Sequence, residues 1–119
     1  MPAGPETFVL DTSALLCLKE NEPGASDVED ILRRHGKKGA VFVNFMSIME
    51  LAYILEQEQG EAAAREGVLQ LKQLPLEVVE SDEPLGLAAA KIKAGHKLSV
   101  ADAWIAATAE RLGDRKSVV

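Results

Sequence analysis

Hydrophobic positions in this chain fall into two patterns that alternate, short continuous runs and helical stripes. Phe8-Val9-Leu10 is a run that stops at Asp11, and Ala40-Val41-Phe42-Val43 is another that stops at Asn44. Runs this short, without a polar face, read as strands buried on both sides, as in parallel sheets. Between them, Ser13 to about Glu20 and Ser26 or Asp27 to about His35 carry helically spaced apolar residues, separated by Asn21-Glu22-Pro23-Gly24 and ended by Gly36. From Ser47 a stripe of Ile48, Leu51, Ala52, Ile54 and Leu55 predicts a longer helix to near Gly60. Glu61 to about Leu74 reads as its antiparallel neighbour, closed by Pro75, and Leu76 to Glu80 alternates like an edge strand. Ser81-Asp82-Glu83-Pro84 is a helix entrance, and an alanine-rich helix follows Leu98-Ser99-Val100-Ala101-Asp102 as far as Leu112. Ser117-Val118-Val119 begins a further strand.

Strands alternating with helices, joined by right-handed crossovers, predict an α/β fold. The expected form is a three-layer α/β/α sandwich with a mostly parallel central sheet, one domain over residues 7–119 after a disordered lead-in at 1–6. Composition changes this little: 119 residues, 47% hydrophobic and 27% charged, suit one soluble core. A single cysteine, Cys17, excludes a disulfide framework within the chain and suits a reducing cytoplasm; it is expected in the core. No apolar run approaches the roughly 18–20 residues that span a bilayer, and the amino terminus lacks the parts of a signal peptide, so no membrane role is expected.

Charge narrows the choice of ligands. A net charge of -6 has the wrong sign for a broad nucleic-acid surface, so a phosphate ligand needs bound cations or a local basic patch. Arg33, Arg34, Lys37 and Lys38 form one such patch, and Lys91, Lys93 and Lys97 another.

Three acids stand where chemistry is placed in such folds. Asp11 ends a buried strand, where ligands of open parallel sheets bind, and Asp is equally a preferred helix N-cap. Glu50 follows Ser47 at capping-box spacing, and from the first helical turn it can also reach toward Asp11. Asp102 opens a helix whose other early residues are small or apolar, so its face is expected to be buried; Ser99 stands three residues earlier, again at cap spacing. Carboxylates crowded at one sheet edge repel, and a hard divalent cation with oxygen ligands relieves this, which points to Mg²⁺ or Mn²⁺. Histidine and cysteine are missing from these positions, against zinc. The expectation is that Asp11, Glu50 and Asp102 meet in one coordination sphere.

Phe8-Val9-Leu10-Asp11-Thr12-Ser13, Ser47-Ile48-Met49-Glu50 and Leu98-Ser99-Val100-Ala101-Asp102-Ala103-Trp104-Ile105-Ala106-Ala107-Thr108-Ala109 together resemble the ordered motifs of PIN domains, and most closely the VapC-like toxins of prokaryotic toxin–antitoxin pairs. The resemblance implies a metal-dependent endoribonuclease with Asp11, Glu50 and Asp102 carrying the cation, Glu50 either through water or at a second ion. Thr12 and Ser13 hydroxyls would assist at phosphate or coordinated water. It also implies RNA as substrate, a homodimer, and a cognate antitoxin whose tail enters the acidic groove.

PIN domains usually carry a fourth acid after the next strand. Here Asp114 precedes that strand and Asp82 is explained as a helix cap, so the expectation is a shortened chain without its last strand and one ligand. Two rivals remain. A phosphoaspartyl enzyme would use Asp11, although Ser13 stands where its second acid belongs; a catalytically degenerate module would only bind antitoxin or nucleic acid. His35 and His96 read as surface residues, Tyr53 and Trp104 as packing residues, and Phe42, Phe45, Met46 and Met49 as core or subunit interface.

Overall fold

The computed structural model describes residues 6–113 and 116–118. Its apolar runs become strands β1 (Thr7–Leu10) and β2 (Val41–Asn44), joined by β3 (Glu77–Val79) and β4 (Lys116–Val118). The sheet order is β3-β2-β1-β4 and every pairing is parallel. β1 is therefore internal and β3 lies at an edge. The strand expected to be cut off at Ser117–Val119 does form: β4 pairs with β1, Thr7 opposite Lys116 and Val9 opposite Val118.

Helices cover both faces, giving the α/β/α sandwich. α1 (Thr12–Lys19) and α2 (Ala25–His35) link β1 to β2; α3 (Phe45–Gln59) and α4 (Glu61–Lys72) link β2 to β3. α5 (Glu83–Gly95) and α6 (Val100–Arg111) lead from β3 to β4. Side chains alternate across a strand, and the core divides accordingly. Leu10, Val41 and Val43 pack with Leu15, Val28, Leu32, Leu51, Leu55 and Leu71 of the first four helices. Val9, on the other face, packs on Ile105 and Ala109 of α6. α5 and α6 meet through Leu85, Ala89, Ala103 and Ala107, and the three alanines let the helices approach closely.

Glycine permits a second close approach: a Cβ on Gly67 of α4 would stand 2.5 Å from Leu55 Cδ1 of α3. A short 3-10 turn, Gly36–Lys38, follows α2 where a simple stop was expected. Cys17 is half-buried rather than a core residue, its Sγ 3.1 Å from the Pro23 carbonyl oxygen. Met49 is exposed. Residues 1–5 of the expected lead-in, and Asp114, lie outside the described residues.

Candidate functional site

The sheet fixes where a ligand can sit. The chain steps outward from β1 to β2 to β3, then returns by α5 and α6 to β4 on the other side of β1. The winding reverses beside β1, and in open parallel sheets ligands bind at such a reversal, beyond the carboxyl ends of the strands. Asp11 is the first residue past β1 there. Its backbone is still extended (φ -91°, ψ 177°), so by strand parity it continues the Val9 face, the one covered by α6.

Asp11 also performs the local duty expected of it. One carboxylate oxygen accepts the Ala14 N–H at 2.9 Å and caps α1. This leaves the second oxygen for another partner.

Glu50 is placed differently from the capping-box expectation. α3 begins at Phe45, two residues before Ser47, because Asn44 ends β2 and caps the helix at once, its side-chain oxygen accepting the Met46 N–H at 2.7 Å. Ser47 is thus inside the first turn, fully buried, and its hydroxyl has no hydrogen-bond partner among the described residues. Glu50 is freed from capping and reaches across to β1's end: Thr12 Oγ1 donates to Glu50 Oε1 at 2.6 Å. That contact spans 38 positions of sequence and puts Glu50 one residue from Asp11.

Asp102 enters from the opposite face. β4 starts beside Thr7, at the amino end of β1, so α6 must descend toward that end and its first turn points to the carboxyl edge where Asp11 lies. Asp102 precedes Ile105, which packs on Val9, by about one helical turn. Ser99 caps the helix, accepting the Asp102 N–H at 3.0 Å, as the spacing predicted. The Asp102 side chain is exposed, against the expectation of a buried face, because Ala103 and Ala107 rather than Asp102 turn toward α5.

The structure thus joins Glu50 to the Asp11 turn and sets Asp102 on the helix facing it. As the side chains stand, no three Asp, Glu, His or Cys residues among those described gather closely enough to hold a metal ion. Two of the acids spend an oxygen on protein donors, Ala14 N–H and Thr12 hydroxyl. The donor chemistry itself, carboxylate and hydroxyl oxygen without nitrogen or sulfur, suits a hard divalent cation.

Asp82 is accounted for otherwise. It caps α5 through the Leu85 N–H and pairs with both terminal nitrogens of Arg111 at 2.7 and 2.8 Å. The Arg111 guanidinium first, and the Leu85 N–H second, hold its carboxyl down at about 2.

Sequence reasoning missed one pair. Asn44 Nδ2 donates to Thr108 Oγ1 at 2.7 Å, and Thr108 donates onward to the Trp104 carbonyl at 2.8 Å. Asn44 and Thr108 are both fully buried. One amide therefore caps the helix carrying Glu50 and ties it to the helix carrying Asp102. The readable signal was an Asn closing an apolar strand and a Thr inside an alanine-rich helix, two polar residues with no place in such surroundings unless partnered.

An internal strand ending in an acid, flanked by acid-bearing helices on both faces of a doubly wound sheet, defines the class of α/β domain. The chain belongs to the PIN domain family, whose profile matches residues 8–116. Among solved structures it is similar to VapC20 of Mycobacterium tuberculosis, a sarcin-ricin-loop-cleaving toxin, at a TM-score of 0.70 and 15% identity over 89% of this chain and 83% of that one. It is also similar to a chain of DNA-bound VapBC from Salmonella typhimurium, at 0.69 and 18% identity over 96% and 98%. No curated protein sequence matches it. No described helix is long and apolar enough to cross a membrane.

Proposed function

We propose that this PIN domain is a divalent-metal-dependent endoribonuclease, the cytoplasmic toxin of a type II toxin–antitoxin pair, with Asp11, Glu50 and Asp102 as holders of Mg²⁺ or Mn²⁺. The observation that carries the reading is the Thr12–Glu50 hydrogen bond, which brings one candidate ligand, Glu50, from distant sequence to the turn that bears another, Asp11, at the reversal point of the sheet. The likeness to VapC20 and VapBC folds supports it.

A divalent cation supplies Lewis-acid charge that orients water and offsets the negative charge developing on a phosphodiester. The chain's own part is to position. The Ala14 N–H fixes Asp11 against the start of α1, and Thr12 holds Glu50 beside it. Ser13, exposed in the first turn of α1, offers a hydroxyl beside the free N–H groups of that helix start, a surface suited to a phosphate oxygen. A cation must use the carboxylate oxygens these donors leave free, or displace the donors.

The test is cleavage of RNA with Mg²⁺ or Mn²⁺, with and without EDTA, by the parent chain and by Asp11→Asn, Glu50→Gln and Asp102→Asn. EDTA and each substitution are expected to abolish cleavage; activity surviving all three refutes the assignment. The dispersed carboxylates favour one alternative, a silent module that only binds antitoxin or nucleic acid. A parent chain that never cleaves, and binds divalent ions no better than the triple variant, would establish that alternative.

Two partners follow from the same reading, a cognate antitoxin and a second copy of the chain. Met49 and Tyr53, one turn apart on α3 and 51% and 49% exposed, provide apolar area for a subunit contact. Light scattering of the parent and a Met49→Ser/Tyr53→Ser variant checks the dimer.

A further inference from the structure

We infer that the turn between α5 and α6, with Lys91, Lys93 and Lys97, is the track along which the RNA backbone approaches the acidic edge; this rests on the nuclease reading above. Both basic clusters were equal candidates in the sequence, and their places in the fold separate them. The Asp82–Arg111 pair pins the start of α5 to the end of α6, so the two helices are antiparallel. The end of α5 and the first turn of α6 therefore share the other end of the hairpin, where Asp102 stands. Lys93 Nζ donates to the Leu98 carbonyl at 2.9 Å, and Lys91, His96 and Lys97 are exposed at the same end of the hairpin.

The electrostatic surroundings differ as well. No Asp or Glu occurs from Pro84 to Ala101, in a chain whose net charge is -6. Those lysines are unneutralised by near neighbours in sequence, and Lys97 sits just before a helix N-terminus, where a cation opposes the helix dipole and gains nothing for stability. At the other cluster Arg33 and Arg34 both pair with Asp30. Lys37 and Lys38 precede β2, so they lie at the amino edge of the sheet, opposite the acids. A polyanion that reaches the carboxylates needs cations beside them to offset repulsion, and of the two basic clusters the α5–α6 turn is the one at that edge among the described residues.

Each phosphate contact with a single strand adds about 0.7 to the slope of log affinity against log salt. Losing two contacts lowers the slope by about 1.4, which near 0.1 M salt is a weakening of about 25-fold relative to a 1 M reference. The experiment measures binding of a short fluorescein-labelled RNA by anisotropy across a salt series, in an Asp11→Asn background with Mg²⁺ present. Lys91→Ala/Lys97→Ala, which spares the Lys93–Leu98 contact, is expected to show that loss and shallower slope, and Lys91→Arg/Lys97→Arg to retain binding. Lys37→Ala/Lys38→Ala is expected to bind like the background. Unchanged affinity in the Lys91/Lys97 alanine pair, or the loss appearing in the Lys37/Lys38 pair, overturns the track. If the parent still cleaves RNA, the nuclease reading stands while the track falls; a background that binds no RNA and a parent that cleaves none overturn both.

Discussion

Replacing Asn44 by alanine removes a cap and an inter-helix tie in one step. The cap on the Met46 N–H is worth about 1 kcal/mol, within a range of roughly 0.5–2. The hydrogen bond to Thr108 adds about 0.5–1.5 kcal/mol, and the space left at a fully buried position adds to both. The sum is about 2–4 kcal/mol. With a urea m-value of about 1.5 kcal/mol/M, the unfolding midpoint should fall by about 1.3–2.7 M. Thr108→Val keeps the side-chain shape but strands the Asn44 amide, at a cost of about 1–3 kcal/mol. The double variant should then be more stable than the two losses added together predict, with a coupling of about 1 kcal/mol, because the shared bond can be lost only once. A cost below about 1 kcal/mol for Asn44→Ala, or strict additivity with Thr108→Val, would show that this amide does not hold α3 against α6.

Ser47→Ala deletes a buried hydroxyl without a described partner and improves helix propensity, so the urea midpoint should rise; a fall would mean that the hydroxyl is satisfied in solution. Asp82, whose carboxyl lies at about 2 against an ordinary 3.8, binds its proton less readily when folded than when unfolded. It contributes stability that is present in full above about pH 4 and lost as pH falls through about 2. The stability difference between the parent and Asp82→Asn should therefore shrink over that interval, more weakly at high salt because the pair is partly exposed. A difference constant with pH would refute the pairing.

The strands were legible because an apolar run ended by a polar residue has few alternatives at this length. β1 and β2 appear where Phe8-Val9-Leu10 and Val41-Phe42-Val43 placed them, and β3 lies at the edge its alternation suggested. The start of α3 was not legible. Ser47 and Glu50 imitate a capping box, while the true cap, Asn44, is also the last residue of a strand, a double duty that local pattern cannot reveal. Asp102 misled in another way: alanines around it suggested burial, but they serve the α5 contact and leave the acid on the solvent side. Thr12 with Glu50, and Asn44 with Thr108, meet only through the winding of the sheet, 38 and 64 positions apart.

The central claim is that Asp11, Glu50 and Asp102 act on one ion, and Mn²⁺ titration followed by calorimetry, with free Mn²⁺ counted by electron paramagnetic resonance, tests it without RNA. The parent chain should bind Mn²⁺, and Asp11→Asn, Glu50→Gln and Asp102→Asn should each weaken that binding at least about 10-fold while circular dichroism stays unchanged. A parent whose affinity equals that of the triple variant would show that these carboxylates hold no common ion.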